Sequence, residues 1–235
     1  MGVIVLNRVI NLAPPKKAFA DCTWEEVSTI CKAGYAAKYW QIGDTKPMVD
    51  GETTGILRII GFDHDPVTDA AAYGREKAGI TLELADSNFK GLDGQMNTTN
   101  YSGTLWYSTS SMYHCNLRQN LLPAYLANKV PADLRAVLTP VDKEFYNGAE
   151  MKTISDTLFL LSLNEIVGGY TSGYGSAGEQ YAYYAAGNTR KRGGAYWTRS
   201  SAGGANWYHI GSGGEVYQTW VASYACSYSF PCMCI

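Results

Sequence analysis

The chain carries little charge: only 17% of its 235 residues are Asp, Glu, Lys or Arg. Its formal net charge is -2, so the chain as a whole is not basic. A general nucleic-acid-binding protein needs clustered Lys and Arg to neutralise phosphates, so the composition argues against that class. No apolar run approaches the roughly 18 residues of a membrane-spanning helix, and we therefore expect no membrane insertion.

A basic leader is missing at the amino terminus. Residues 1–12 include a short apolar stretch, but no basic region precedes it and no small-residue cleavage site follows it. We expect no secretion signal and synthesis in a reducing cytosol, since six cysteines are too few for a disulfide scaffold. Two prolines at 14 and 15 then predict an arm or edge strand over residues 1–15 and a single domain over residues 16–235.

Metal-binding and catalytic patterns are scarce. The chain has three histidines, and the one close cysteine pair, Cys232 and Cys234, has no second pair at zinc-site spacing. Asp63, His64 and Asp65 follow an apolar strand, but alternation places His64 on the opposite face from the two aspartates. We expect these aspartates to organise the following turn rather than to hold a metal. The sequence therefore predicts no catalytic residue, no metal, no cofactor and no enzymatic activity.

A few helices and short, separated strands predict an α+β fold. Thr23 and Glu26 form a capping-box pattern before an apolar helical face, and Gly34 is placed to end that helix. Strands are predicted over residues 39–42, 55–62, 78–84, 138–146 and 157–162. Further helices are predicted to start near Ser111, with Pro123 ending or kinking that helix, and at Pro131, with a helical turn over residues 164–166.

The C-terminal segment 196–235 differs in composition from the rest. Glu215 is its only charged side chain after Ser200, and Tyr, Trp, Ser, Gly, Ala and Cys fill most positions. Tyr and Trp supply large, stiff contact area, while Ser, Gly and Asn supply small, adaptable spacers, as in many binding surfaces. The alternative interpretation is a Gly- and Tyr-rich β-meander that closes an ordinary domain.

Six stretches, in order, resemble a family of phage and gut-bacterial proteins with a domain of unknown function. They are residues 18–26, 39–46, 59–65, 158–165, 178–181 and 196–200. The resemblance covers nearly the whole chain from residue 14. It implies a C-type-lectin-like fold whose C-terminal region, residues 196–235, is diversified by a diversity-generating retroelement.

In such systems a template RNA is copied with errors at adenines, and the product replaces the end of the target gene. Residues that an Asn codon reaches by such errors are then implied to be the variable, ligand-binding set. They are Asn206, Tyr208, His209, Ser212, Tyr217, Thr219, Tyr224, Cys226, Tyr228, Phe230 and Cys232. The framework that supports them is implied to include Trp197, Arg199 and Trp220.

The resemblance implies a non-enzymatic protein, made in the bacterial cytoplasm and displayed on a phage tail or a comparable surface, that binds a protein or glycan receptor on a host cell. It also admits a homotrimer and contacts with other virion proteins. Two alternatives stay open. One is a structural tail protein without a variable binding role. The other is an enzyme of the formylglycine-generating type on the same fold, with Cys226, Cys232 and Cys234 as the source of reactive thiols.

Overall fold

The computed structural model describes residues 13–50, 53–85, 94–98, 103–221, 223 and 228–235. Within these ranges the strands are β1 (Thr45–Asp50), β2 (Thr53–Phe62), β3 (Ile80–Leu84), β4 (Val141–Tyr146), β5 (Met151–Asp156), β6 (Leu158–Phe159), β7 (Tyr196–Gly203), β8 (Asn206–Ile210), β9 (Val216–Val221) and β10 (Cys232–Cys234). The helices are α1 (Trp24–Lys32), α2 (Ala36–Tyr39), α3 (Ala70–Tyr73), α4 (Leu122–Lys129), α5 (Ala132–Arg135), α6 (Leu163–Val167) and α7 (Ala182–Ala185). The predicted α+β class is confirmed: the strands pair antiparallel and the helices are few and short.

A five-stranded sheet in the order β1-β2-β3-β10-β6 forms the centre of the protein. The C-terminal strand β10 lies inside it, with Cys232 opposite Glu83 on one side and Phe159 on the other. Ile235 exchanges backbone hydrogen bonds with Ile80, at 3.1 and 3.2 Å. The last residues of the chain are therefore part of the core rather than a surface extension.

The two faces of this sheet differ in chemistry. Leu57, Ile59, Leu82 and Met233 lie on one face and are at most 1% exposed. The other face carries side chains such as Arg58, Thr81, Glu83, Cys232 and Cys234, as direct partners across the strands. The first face packs against helices, and the second is covered by ion pairs and by the segment that leads to β7.

Helix α1 covers the apolar face. Thr23 Oγ1 accepts a hydrogen bond from the Glu26 amide at 3.1 Å, and the Thr23 amide donates to Glu26 Oε2 at 2.7 Å, which confirms the predicted capping box. Gly34 follows the helix with φ +74°, as predicted for the residue that ends it. A side chain at Gly79 would place Cβ 2.6 Å from Cys31 Cβ, so the close approach of α1 to the sheet requires glycine there.

Two smaller sheets complete the fold. β4 and β5 form a hairpin, and its Asp142 amide donates to the Pro66 carbonyl at 2.9 Å. The third sheet has the order β7-β8-β9, and its Arg199 amide donates to the Leu161 carbonyl at 2.9 Å. These backbone hydrogen bonds fix both small sheets to segments that continue into the central sheet.

Two of the sequence predictions are wrong. Residues 39–42 are not a strand, because α2 runs to Tyr39 and Trp40 is buried with its indole N–H donating to the Lys17 carbonyl at 3.0 Å. The helix predicted to start near Ser111 starts later, and Pro123 does not end it; the alternative of a kink at Pro123 stays a prediction. A π-helical turn at Leu117–Leu121 precedes it, and Pro123 falls in the first turn of α4, where its missing N–H is tolerated.

The remaining strand predictions hold, with shorter bounds at residues 78–84, 138–146 and 157–162. The predicted arm, residues 1–15, lies mostly outside the described residues. None of the helices in the described part of the chain combines the length and the hydropathy needed to cross a membrane.

Candidate binding site

Side chains in strand β8 point alternately to its two faces, so the variable residues implied for this strand lie on different faces. Trp207 and His209 point inward and are 0% and 3% exposed. Asn206 and Tyr208 point to the other side of the strand and are half-buried. The outward pair is therefore the part of β8 that a ligand can reach.

Tyr217 lies on the opposite face of the small sheet from Tyr208. It is 46% exposed, pairs with His209 across β8 and β9, and stacks its ring on that imidazole with centroids 5.3 Å apart. Because His209 and Tyr208 are adjacent in the strand, their side chains leave opposite faces. The residues implied to be variable thus do not form one continuous surface.

Three of the implied ligand-binding residues are corrected by their burial. His209, Phe230 and Cys232 are 3%, 2% and 0% exposed. Phe230 packs edge-to-face on Tyr196 at 5.3 Å, and Cys232 lies between two strands of the central sheet. A side chain without exposed surface cannot contact a ligand unless the fold changes, so we assign all three to the core.

The other implied residues fall in different surroundings. Ser212 is exposed in the turn before β9, and Tyr228 is half-buried against Phe230 and Gly194. Thr219 and Trp220 lie in β9, but their side chains are outside the described part of the structure, as are Tyr224 and Cys226 altogether. Ser212 therefore stays accessible, while Tyr228 also contributes to packing.

The framework residues Trp197 and Arg199 are both 1% exposed. The Trp197 indole N–H donates to the Gly94 carbonyl at 3.2 Å, and its ring meets His209 edge-to-face at 6.1 Å. Arg199 donates through Nε to the Glu144 carbonyl at 2.9 Å and through Nη2 to Glu165 Oε1 at 2.6 Å. These contacts anchor β7, which lies beside β8 in the same sheet.

A cluster of four half-buried tyrosines surrounds the β7–β8 hairpin; we call Tyr146, Tyr170, Tyr174 and Tyr208 the tyrosine face. Tyr170 meets Tyr208 edge-to-face at 6.3 Å, and Tyr146 meets Tyr174 in the same way at 5.1 Å. Tyr174 also lies against Gly203, which pairs with the residue two positions before Tyr208. Clustered, accessible aromatic rings are typical of interfaces.

Close packing at glycines positions two of these rings. A Cβ at Gly175 would lie 2.8 Å from Tyr170 Cδ1, and a Cβ at Gly148 would lie 3.2 Å from the Tyr174 hydroxyl oxygen. Sequence reasoning missed Tyr146, Tyr170 and Tyr174, because it looked for the site only after residue 196. The signal that was available is the glycine-rich stretch from residue 168, where the chain forms turns that carry tyrosines.

Beneath this region lies a buried network of ion pairs, formed by Asp65, Lys143, Glu165 and Arg199. Lys143 Nζ lies 2.6 Å from Asp65 Oδ1 and 2.7 Å from Glu165 Oε1, and Arg199 holds both Glu165 oxygens. The Tyr181 hydroxyl donates to Asp65 at 2.9 Å. The prediction that the Asp65 side chain organises the turn before Pro66 is therefore wrong: this side chain is 1% exposed and joins β4 to the end of β2.

The charges in the network keep one another ionised. Burial alone would raise the pKa of Asp65, but Lys143 holds it well below its usual range. Burial likewise opposes ionisation of Glu165, and Arg199 and Lys143 lower its pKa. Burial would lower the pKa of Lys143, but Asp65 and Glu165 raise it. Two anions and two cations thus balance at a site where each side chain is at most 3% exposed, as buried charges require.

The described cysteines do not suit nucleophilic chemistry. Cys232 and Cys234 are fully buried, and burial raises the pKa of each thiol above its usual range. Cys115 is also buried, which raises the pKa of its thiol to about 12. A reactive cysteine needs a lowered pKa and access to solvent. In the described residues there is also no group of three or more His, Cys, Asp or Glu side chains placed to hold a metal ion.

His209 makes the stability of the protein sensitive to mild acid. Burial lowers the pKa of its imidazole to about 4, whereas the unfolded chain titrates near 6.5. Between these values the unfolded state takes up a proton that the folded state does not, so stability is lost as the pH falls through this window. We expect the free energy of unfolding to fall by roughly 2 kcal/mol from pH 6.5 to pH 4.5.

Urea denaturation at both pH values measures this loss. His209→Phe keeps a ring between Trp197 and Tyr217 but cannot be protonated, so its stability should change much less over the same interval. Equal losses in the two proteins would show that His209 is not the titrating group.

The comparisons with known proteins bear on the family of the chain. A family model described as a domain of unknown function (DUF6273) matches residues 86–232. These residues include the tyrosine face, the β7–β9 sheet and part of the buried network. No curated protein and no solved structure matches the chain significantly. Because the family model covers more than half of the 235 residues, the chain belongs to the DUF6273 family.

Proposed function

We propose that this protein is a non-enzymatic, receptor-binding protein that recognises a protein or glycan on a host-cell surface through the tyrosine face. The observation that carries the proposal is the accessible cluster of four tyrosines around the β7–β8 hairpin. Tyrosine gives contact area and hydrogen bonding at low entropic cost, without needing a charge match. The low charge of the C-terminal segment fits such a surface.

The support beneath the tyrosine face favours a surface that tolerates exchange of its side chains. The buried side chains of Arg199 and Trp197 are fixed by hydrogen bonds to backbone carbonyls, and β10 is held in the central sheet. Asn206 and Tyr208 rest on this support with their side chains outside the core. Substitutions at exposed positions usually change stability by less than about 0.5 kcal/mol. At these half-buried positions we expect a larger cost that still leaves the fold intact.

The finer assignment is part of the same proposal: a C-type-lectin-like fold, displayed on a phage tail or a comparable surface, with residues of the last segment diversified by a retroelement. Its support is the resemblance of the motifs together with the accessible positions of Asn206, Tyr208 and Ser212. Tyr217 is also accessible, but it lies on the opposite face of the sheet, so we leave it out of the binding surface. We leave His209, Phe230 and Cys232 out of the variable surface, because each is buried. The structural tail protein without a binding role remains the alternative. For the enzyme alternative, the raised pKa values of the buried Cys232 and Cys234 thiols speak against these two as its reactive cysteines.

Sequencing the DNA that flanks the gene tests the retroelement assignment. We expect a near-copy of the final codons that differs only at adenines, next to a reverse transcriptase gene. Copies of the gene from related genomes should then vary at the codons of Tyr208 and Ser212 and keep those of Trp197 and Arg199, which are buried. Substitutions spread evenly over accessible and buried positions, with no such near-copy, would contradict the assignment.

A further inference from the structure

A cleft of about 430 Å³ opens next to the buried network of ion pairs. Its walls come from the turn after β2, the segment before β3, strand β4 and the segment before α7, and they include His64, Asp65, Lys77, Lys143, Glu165 and Glu179. Sites for small molecules typically measure about 300–1,000 Å³. The cleft therefore has the size of a small-ligand site, and the tyrosine face does not use it.

The floor of the cleft is rigid and electrically balanced. Asp65, Lys143 and Glu165 are at most 3% exposed, and each is held by the others or by Arg199. These four residues carry two negative and two positive charges. A ligand in the cleft would thus contact preformed walls, and the four residues of the floor would add no net charge.

His64 gives the cleft wall a hydrogen-bonding group through its Nε2. Its Nδ1 lies 3.5 Å from Asp65 Oδ1, whereas its buried Nε2 has no hydrogen-bond partner among the described residues. The ring itself is fixed by stacking on Tyr181, with centroids 4.0 Å apart. Buried polar atoms are nearly always hydrogen-bonded, and a neutral imidazole offers one donor and one acceptor. This side chain is therefore placed to bond a polar ligand.

The charged side chains at the rim of the cleft favour a ligand of opposite charge. Asp142 accepts a hydrogen bond from Thr68 Oγ1 at 2.7 Å, and Glu144 accepts one from the Gly178 amide at 3.1 Å. Together with Glu179 they line the cleft, and none of the three forms an ion pair within the described residues. The rim also carries one lysine, Lys77. The excess of carboxylates favours a cation.

The described residues contain no cluster arranged to hold a metal ion, so an organic cation fits better than an inorganic one. We propose that the cleft binds a small organic cation with an ammonium or guanidinium group, which donates hydrogen bonds to a ring nitrogen of His64 and lies among Asp142, Glu144 and Glu179. Such a group is present in free amines and in the Arg or Lys side chains of peptides. The site goes beyond the proposed function and does not depend on it.

Isothermal titration calorimetry with agmatine and putrescine tests the proposal on the full chain. We expect saturable binding with a Kd on the order of 1 mM or tighter, and none for glutarate, a dianion of comparable length. A short arginine-containing peptide forms a separate arm. Tighter binding of the peptide than of agmatine would identify a peptide side chain as the source, and the reverse order would identify a free amine.

Two substitutions locate the site. His64→Phe keeps the stacking on Tyr181 but removes both nitrogens, and we expect it to weaken agmatine binding about tenfold or more, as for a hydrogen bond to a charged group. Glu179→Gln, at an exposed rim position, should weaken it about two- to fivefold, as for a partly exposed charge pair. Glu25→Gln removes the same charge from α1, outside the cleft, and should leave the affinity unchanged.

The binding measurements on these variants can overturn the proposal even if one variant fails to fold. If His64→Phe does not fold, which circular dichroism will show, Glu179→Gln against Glu25→Gln still carries the comparison. Absence of saturable binding by either amine, or equal affinities of the Glu179→Gln and Glu25→Gln variants, would overturn the proposal.

Discussion

Lys143→Met is expected to destabilise the protein by about 3–5 kcal/mol, which is the usual cost of removing one partner from a buried ion pair. Lys143 is 3% exposed and contacts both Asp65 and Glu165. Without it, Asp65 keeps only neutral donors, among them Tyr181, and its charge is left uncompensated in the interior. Urea denaturation monitored by tryptophan fluorescence measures the loss.

Lys152→Met in the neighbouring strand is the matched control. Lys152 forms an ion pair with Glu150 at 2.6 Å, but the two side chains are 47% and 64% exposed. Solvent screens such pairs, so this variant should differ from the wild type by less than about 0.5 kcal/mol. Adding Asp65→Asn to Lys143→Met should recover part of the stability, because it removes the uncompensated charge. A loss below about 1 kcal/mol for Lys143→Met would contradict the role that we assign to the network.

The same network also makes the stability of the protein depend on pH in the acid range. The pKa values of Asp65 and Glu165 are lower in the folded state than in the unfolded chain. Their contribution to stability is therefore complete above the pKa of the unfolded carboxyl groups, near 4, and is lost as the pH falls below it. His209 acts earlier, between about pH 6.5 and 4. Acid thus weakens the protein in two stages with different physical origins.

Local signals in the sequence were sufficient for some elements. The capping box at Thr23 and Glu26 and the glycine at position 34 define α1, because these interactions are formed within a few residues. The apolar run at 55–62 predicts β2 for the same reason. Trp40 shows the limit, since its indole is held by the Lys17 carbonyl, a contact that no local pattern encodes.

The candidate site depends on contacts between distant parts of the chain. Lys143 and Asp65 are 78 residues apart, and Tyr181 and Asp65 are 116 apart. Composition marked residues 196–235 as unusual, but it did not separate the outward Tyr208 from the inward His209, which needs the register of β8. The family resemblance also could not show burial. It implied that Phe230 and Cys232 are variable because an Asn codon can change to theirs, but β10 and its neighbours place both residues in the core.

The double variant Tyr170→Ser/Tyr208→Ser should abolish receptor binding while the protein stays folded. The two rings meet edge-to-face at 6.3 Å on the tyrosine face, and both are half-buried. Loss of two central aromatic contacts typically weakens an interface by about 2 kcal/mol or more each, roughly 30-fold per residue. We expect the free energy of unfolding to fall by only about 1 kcal/mol, because both rings are only partly buried where they pack against the core.

Tyr217→Ser is the control for this variant, since Tyr217 is exposed on the opposite face of the β7–β9 sheet. The decisive measurement is the retention of labelled protein on fixed cells of the host, with urea denaturation of the same preparations. We predict that the double variant loses retention at nearly full stability, and that Tyr217→Ser keeps both. Unfolding of the double variant, or undiminished retention by it, would contradict a binding surface that is separable from the fold.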